Sequence, residues 1–191
     1  MTTPGPTPRL QRFAALLLRW NASLNLIARR DEPAVWERHI EDSLQLAPMI
    51  PPGTARAIDL GTGGGFPGLV LAIATEIPFD LIESDQRKAA FLRSVVLETG
   101  ASATVHACRI QHAPVPPAPL VTARALAPLP RLLQLVAPLL APSGMCLLLK
   151  GAKADEEIAA AERDWSMVVE RSQSRTSAEG VVLKLTEVRR R

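Results

Sequence analysis

The glycine-rich segment at residues 58–68 constrains the fold more than any other part of the sequence. It reads IDLGTGGGFPG and overlaps the end of a short apolar run, AIDL. Glycines after a buried strand let the backbone turn sharply and approach a ligand closely, and a following helix presents free N–H groups at its first turn. The segment therefore predicts a strand, a tight ligand-binding turn and a helix.

Several cofactors fit this turn. Gly63, Gly65 and Gly68 match the pattern G-x-G-x-x-G, which also binds dinucleotides. Asp59, two residues before the first glycine, places a carboxylate where it can contact a ligand's ammonium group directly or through water and would repel a pyrophosphate. Glu83 ends the run FDLIE and can accept hydrogen bonds from both ribose hydroxyls, a device that both cofactor classes use. These features favour S-adenosylmethionine; a nicotinamide or flavin nucleotide and a purely structural glycine turn remain alternatives.

The first fifty residues predict a helical cap. Residues 1–8 contain three prolines and predict a disordered lead-in. Apolar residues at helical spacing follow between positions 10 and 18, with arginines on another face. After a break at 21–25, a second helix is predicted from about Pro33 to Ala47. The cap is thus assigned to residues 9–52 and the core to residues 53–191 of one domain, 1–191.

From residue 57 onwards, short apolar runs alternate with helical periods, a pattern that builds a parallel sheet covered on both faces. The apolar runs that predict strands are, in order, AIDL, FDLIE, TVHA, PLVTARA and MCLLLK, and LVLAIA forms the helix after the glycine turn. Helical stretches are predicted at 86–98 and around 128–138 and 154–163. Two last runs, WSMVVERS and VVLKLTEV, predict an antiparallel hairpin that closes the sheet. We therefore expect an α/β, Rossmann-like fold with a mostly parallel seven-stranded sheet.

Composition places the chain among globular proteins that need no cross-link. The 191 residues are 47% hydrophobic and 21% charged, and a core of that size holds a domain together. Cys108 and Cys146 lie outside any metal-ligand spacing, so we expect buried thiols in a reducing compartment and no metal. The uncharged tract at 132–149 is interrupted by proline and glycine, and no signal peptide is visible. A cytoplasmic protein without a membrane span is expected.

Charge is distributed unevenly along the sequence. Residues 1–30 contain five arginines and no acid, residues 99–154 contain five basic residues and no acid, and residues 31–98 contain 11 acids against five bases. A basic surface built from the first two segments would suit a polyanion such as nucleic acid. Ordinary solvated charge is the alternative.

Five motifs in order resemble one known family. They are Trp20-Asn21 with Asn25-Leu26 ahead of RHI and DS at 38–43, then DLGTGGGFPGLVLAI, LIESDQRKAAFLR, TARA at 122–125 and LLLKG ending at residue 151. Over roughly residues 10–190 the chain resembles the RsmG (GidB) family of bacterial 16S ribosomal RNA guanine-N7 methyltransferases. The resemblance implies the class I methyltransferase fold, S-adenosylmethionine as cofactor, and 16S ribosomal RNA or the small ribosomal subunit as partner of what we expect to be a monomer.

The resemblance also implies roles for individual residues. Arg124 matches an arginine that faces the methyl-transfer site and is the predicted catalytic residue, placed to bind guanine O6 and leave N7 free. Together with the residues reasoned from the glycine turn, the predicted cofactor-binding set is Asp59, Gly61, Gly63, Gly65, Phe66, Glu83, Ile110, Gln111 and Arg124. The predicted RNA-binding set is Arg38, His39, Arg87, Lys88 and Lys150.

Some of these residues also have simpler interpretations. Phe66 is either a platform on which a base stacks or a core residue. Arg38 and Asp42, four residues apart, would also pair on a helix surface. His39 would equally serve a buried polar contact near the cofactor loop. Lys150, at a strand end, is expected to face RNA or solvent.

Overall fold

A seven-stranded sheet runs through the structure, a computed structural model that describes residues 7–191. The strands lie in the order β3-β2-β1-β4-β5-β7-β6. They are β1 (Ala57–Leu60), β2 (Phe79–Ile82), β3 (Ala103–His106), β4 (Ala118–Arg124), β5 (Leu140–Lys150), β6 (Trp165–Gln173) and β7 (Val181–Arg190). The first five are parallel, whereas β7 pairs antiparallel with both β5 and β6. This arrangement confirms the predicted sheet and its closing hairpin.

Helices cover both faces of the sheet. They are α1 (Pro8–Leu24), α2 (Asp42–Leu44), α3 (Gly68–Thr75), α4 (Gln86–Thr99), α5 (Leu129–Val136) and α6 (Ala154–Ala161). The buried apolar residues form two clusters, one with α1, α3 and α4 and the other with α5 and α6. Consecutive strand residues such as Leu147 and Leu148 belong to different clusters, because side chains alternate across a strand.

The helical cap is present, but its boundaries differ from the prediction. Helix α1 begins at Pro8, with Thr7 as its cap, and continues to Leu24. It ends inside the predicted break at 21–25, where Asn25 is the left-handed cap and the buried Asn21 side chain accepts a hydrogen bond from the Ile27 N–H. The predicted lead-in, residues 1–8, thus lies outside the described residues except for its last two.

The second predicted helix, 33–47, is a series of shorter turns instead. The chain forms a 3₁₀ helix at Arg29–Ala34, a π-helix at Trp36–Glu41, the short α2 and a 3₁₀ turn at Ala47–Met49. Pro33 lies inside the first of these segments, where its missing N–H interrupts a regular ladder. The segment still packs as expected, since Ile40, Leu44 and Leu46 are buried in the cluster that contains α1.

The order of the strands locates a crevice at the carboxyl edge of the sheet. After β1 the chain crosses to β2 on one side, and after β4 it crosses to β5 on the other. In open α/β sheets, ligands bind where the direction of winding changes. The loops after Leu60 and Arg124 lie at this point. None of the helices in residues 7–191 is long and apolar enough to cross a membrane.

Candidate functional site

Asp59 holds the glycine-rich loop in place. Its carboxylate accepts hydrogen bonds from the Gly68 N–H (3.1 Å) and the Thr122 hydroxyl (2.6 Å). A Cβ on Gly68 would lie 2.3 Å from the Cβ of Asp59, so the helix start can approach the strand only because residue 68 is glycine. The Asp59 side chain has no exposed surface, and this burial raises its pKa to about 6. The structure therefore shows Asp59 as a buried support of the loop, whereas the sequence predicted that its carboxylate would contact a ligand directly or through water.

Glu83 stands at the end of β2, as predicted, and faces the same loop. Its Oε2 accepts from the Gly63 N–H at 2.9 Å and its Oε1 from the Asp85 N–H at 2.8 Å. Each carboxylate oxygen has a second lone pair beyond these bonds. Glu83 is therefore able to accept hydrogen bonds from a ligand while it holds the loop.

A cavity of about 520 Å³ opens beside Glu83. Five of the predicted cofactor-binding residues line it, namely Gly61, Gly63, Glu83, Ile110 and Gln111. Sequence reasoning missed the neighbours that complete the lining, among them Arg109 and Leu126, and it assigned Lys88 to RNA although Lys88 lies here. We call this space the first cavity.

The remaining predicted cofactor-binding residues shape the loop or lie beyond it. Gly65 has a φ of +97° and serves the turn itself, since a Cβ there would meet the Leu69 side chain at 3.1 Å. Phe66 is only 3% exposed, and its ring centroid lies 5.4 Å from that of Phe13 and 5.1 Å from that of His39. Phe66 thus packs in the core, the second of its two interpretations, and its predicted contact with the cofactor stays a prediction.

Arg124 lies at the end of β4 in a cluster of polar and aromatic groups. Its Nη1 lies 3.0 Å from His39 Nδ1 and 3.3 Å from Asp42 Oδ2, and its Cζ is 4.7 Å from the centre of the Phe66 ring. Burial lowers the pKa of the guanidinium, and the charge of Asp42 opposes that effect. Arg124 is therefore a partly desolvated cation held in a fixed orientation.

His39 takes part in this cluster as a neutral acceptor. Burial and the positive charge of Arg124 lower its pKa to about 4. Nδ1 can then accept a hydrogen bond from Arg124. The geometry thus gives His39 the polar contact near the cofactor loop, which was the alternative to RNA binding.

Asp42 connects Arg124 to the hairpin of β6 and β7. Its Oδ1 accepts from the Thr176 hydroxyl at 2.7 Å and from Gln45 Nε2 at 2.8 Å, while its Oδ2 faces Arg124. The sequence suggested a different partner, Arg38, which instead approaches Asp31 at 3.3 Å. The predicted pair of Arg38 and Asp42 is thus corrected. The partners of Asp42 are Arg124 and Thr176, which lie more than 80 residues away along the chain.

A second cavity, of about 630 Å³, lies beside Arg124. Asp42, Leu126, Lys150 and Gly180 contribute to its lining. Lys150 differs from the prediction of a side chain facing RNA or solvent: it is 7% exposed and its Nζ is 2.6 Å from Glu157 Oε2. Its ammonium also donates to the Ala127 carbonyl, so it stabilises the wall of this cavity.

Two of the predicted RNA-binding residues are on the surface. Arg38 is 58% exposed, and Arg87 is exposed and donates to the Ser23 carbonyl at 3.0 Å. Arg87 is at the first turn of α4, which follows β2, and the Arg38 carbonyl is 3.4 Å from Arg124 Nη1. Both arginines are therefore at the carboxyl edge of the sheet, where the cavities open.

Comparison with known structures identifies the fold. An O-methyltransferase from Bacillus cereus, in complex with S-adenosylhomocysteine (SAH), aligns over 96% of this chain and 93% of its own with a TM-score of 0.62 and 14% identity. The O-methyltransferase TomG from Streptomyces achromogenes, in complex with S-adenosylmethionine (SAM), aligns over 95% and 90% with a TM-score of 0.59 and 14% identity. At such identities the likeness concerns the fold alone.

Sequence relatives identify the family. The chain is 57% identical over 184 residues to the ribosomal RNA small subunit methyltransferase G of Acidiphilium cryptum, which covers 95% of this chain and 85% of the relative. It is 54% identical over 182 residues to the protein of the same name from Gluconobacter oxydans, with coverage of 95% and 94%. The model of the family described as rRNA small subunit methyltransferase G matches residues 7–185. The chain belongs to this family.

Proposed function

We propose that the protein uses S-adenosylmethionine to methylate N7 of a guanine in 16S ribosomal RNA. The observation that carries the proposal is the pair of adjoining cavities at the carboxyl edge of the sheet, one beside Glu83 and the other beside Arg124. The first would hold the methyl donor and the second the base. The names of the relatives, ribosomal RNA small subunit methyltransferase G, support the substrate class.

The residues of the first cavity fit such a donor. Gly61 and Gly63 have positive φ angles of 62° and 56° and carry no side chain, so a ligand can approach their backbone closely. The free lone pairs of Glu83 can accept from ribose hydroxyls. Ile110 and Gln111 belong to a 3₁₀ turn that lines the same cavity and would lie along the adenine. When bound, the cofactor supplies an electrophilic methyl group on a sulfonium.

The acceptor needs orientation and no base catalyst. The guanine N7 lone pair carries no proton, so it attacks the methyl carbon while the carbon–sulfur electrons remain on sulfur, which becomes a neutral thioether. Holding two reactants in line can be worth roughly 7–11 kcal/mol. Within residues 7–191, the hydrogen bonds of the Arg124 guanidinium all start at Nη1. Its other N–H groups are free to bind guanine O6, a pairing that arginine favours.

The exposed arginines at the same edge would hold the RNA. Arg38 and Arg87 present positive charge near both cavities and would contact phosphates, which position a nucleic acid without reading its sequence. We infer that the cap and the core act as one domain, 1–191, because Phe13 of α1 packs against Phe66 of the loop. The proposal includes action as a monomer in the cytoplasm, where small ribosomal subunits are found.

Labelled methyl transfer tests this function. The protein is incubated with labelled S-adenosylmethionine and small-subunit RNA from cells that lack the gene, and borohydride and aniline then cleave the RNA at N7-methylguanine. We expect one labelled cleavage site. Arg124→Lys keeps the charge but loses the planar fork, so it should lower the rate by about 100-fold or more. Arg131→Lys, on the exposed part of α5, is the matched control. Absence of transfer to both free RNA and intact subunits would overturn the proposal.

A further inference from the structure

Leu126 lies where the two cavities meet. Among the described residues that line them, it is the single one that both cavities share. Gly61, Gly63 and Glu83 line the space on one side of it, and Arg124 and Lys150 line the space on the other. Any group that passes directly from one cavity to the other therefore passes this side chain.

The Leu126 side chain rests on the backbone of Gly61. A Cβ placed on Gly61 would lie 2.6 Å from Leu126 Cδ1, which is closer than real Cβ atoms approach a neighbour. The methyl group of Leu126 thus occupies space that any other residue at position 61 would fill. Gly61 and Leu126 form a close contact at the floor of the first cavity.

The backbone just before Leu126 has an uncommon conformation. Ala125 has a φ of +49°, in the left-handed region that residues other than glycine rarely adopt. The chain turns at Ala125, so that Arg124 joins the cluster of His39 and Asp42 while Leu126 lies against Gly61. Strained backbone of this kind concentrates at functional sites, and here it places the side chains of Arg124 and Leu126 at the boundary between the cavities.

We propose that Leu126 is a positioning residue that forms one wall of the passage between the methyl-donor cavity and the base cavity and sets the line along which the methyl group is transferred. The inference rests on the proposed function, because that function assigns a ligand to each cavity. A branched apolar side chain is suited to this position because it excludes water from the passage. It also has no lone pair that would compete with guanine N7 for the methyl group.

Truncation of Leu126 should widen the passage between the two cavities, and a linked ligand detects this change without any turnover. The probe is an adenosylhomocysteine analogue whose sulfur position is tethered through two carbons to N7 of guanosine. We expect Leu126→Ala to bind this compound about tenfold more weakly than the wild type, because the side chain no longer holds the tether and its two ends in line. Binding of unlinked S-adenosylhomocysteine, measured by the same calorimetry, should stay within about threefold.

Loss of the apolar wall should also slow the reaction itself. The single-turnover rate of methyl transfer to small-subunit RNA is expected to fall by about 10- to 100-fold in Leu126→Ala, since small misplacements of reacting groups have effects of that size. Leu126→Met, which conserves volume, should restore the rate to within about threefold of the wild type.

Leu135→Ala is the matched control. Leu135 is a half-buried leucine packed against the same core cluster as Leu126 and lines neither cavity, so it reports the general cost of removing such a side chain. The inference is overturned if Leu126→Ala changes the affinities for the linked and unlinked compounds in parallel, or if its rate equals that of Leu135→Ala. Failure of the wild type to bind S-adenosylhomocysteine or to transfer a methyl group would overturn the proposed function as well.

Discussion

Asp59 is an ionisable residue that the fold keeps away from water. Its burial raises the pKa to about 6, against an ordinary value of 3.8, and the hydrogen bonds from Thr122 and Gly68 only partly oppose this rise. Between about pH 3.8 and pH 6, the folded protein therefore keeps a proton on Asp59 that the unfolded chain has released. The resulting contribution to stability is fully present below about pH 3.8 and is lost as the pH rises through about 6.

Replacement of Asp59 by asparagine removes this titration. The free energy of unfolding of the wild type, relative to Asp59→Asn, should fall by about 2 kcal/mol as the pH rises from 4 to 7, since one pKa unit corresponds to about 1.4 kcal/mol and part of the effect lies below pH 4. Urea unfolding of both proteins at several pH values in this range measures the difference. Asp155→Asn, at an exposed aspartate paired with Arg171, is the control. A difference between wild type and Asp59→Asn that does not change with pH would contradict the prediction.

Individual residues were predictable where the local pattern decides their role. The position of Glu83 was predictable because β2 pairs with β1, so that an acid at the end of β2 faces the glycine loop that follows β1. The role of Lys150 could not be predicted, since it depends on Glu157. Helix α6, which follows β5, brings this residue close to Lys150. Arg124 and Asp42 are 82 residues apart. No spacing in the sequence predicts such a pair, so Asp42 was assigned to its helical neighbour Arg38.

At the scale of elements, the cap and the terminal hairpin are joined through polar side chains. Gln45, which is buried, donates to Ser174 Oγ at 3.2 Å, and its Oε1 accepts from the Arg175 N–H at 2.9 Å. Asp42 adds the bond from Thr176 and, on its other oxygen, the contact with Arg124. The turn between β6 and β7 is thereby tied to the same carboxylate that orients Arg124.

Removal of one of these bonds should loosen the hairpin turn. Thr176→Val keeps the shape of the side chain and leaves one acceptor site of Asp42 without its hydroxyl donor. We expect the free energy of unfolding to fall by about 1–2 kcal/mol and the amides of residues 174–180 to exchange hydrogen faster. Thr104→Val, at an exposed threonine on β3, should change neither. Unaltered exchange in the turn would show that the hairpin holds its conformation without the cap.

Elements were predictable where a single periodicity runs through them. The seven strands follow the alternation of apolar runs and helical periods, and so do the four helices α3, α4, α5 and α6. The segment 29–49 follows no single period: Pro33 falls inside a 3₁₀ turn and a π-helix comes next. Its helical form was predictable from Pro33 near a first turn and from the prolines after Ala47, but its turn types depend on packing against α1 and α3, which local sequence does not encode.

At the scale of the whole molecule, two exposed arginines lie at the carboxyl edge although both belong to the acid-rich stretch 31–98. Arg38 and Arg87 come from different segments, the cap and the start of α4, yet both are at the carboxyl edge of the sheet beside the cavities. Arg163 and Arg189, also exposed, lie beside the start of β6 and the end of β7, at the opposite edge of the sheet. A net charge of +3 alone would attract RNA to any surface, whereas the proposed function requires it at this edge.

Salt dependence of RNA binding separates these two possibilities. Each phosphate contact that is lost should lower the slope of log affinity against log salt concentration by about 0.7–0.9. The double variant Arg38→Gln with Arg87→Gln should therefore lower the slope by about 1.5 while leaving the affinity for S-adenosylhomocysteine unchanged. The pair Arg163→Gln with Arg189→Gln removes the same net charge from exposed positions just before β6 and near the end of β7, at the opposite edge of the sheet. Because net charge falls equally in both variants, an equal loss of slope would point to general attraction, and a loss confined to the first pair would place the RNA at the carboxyl edge.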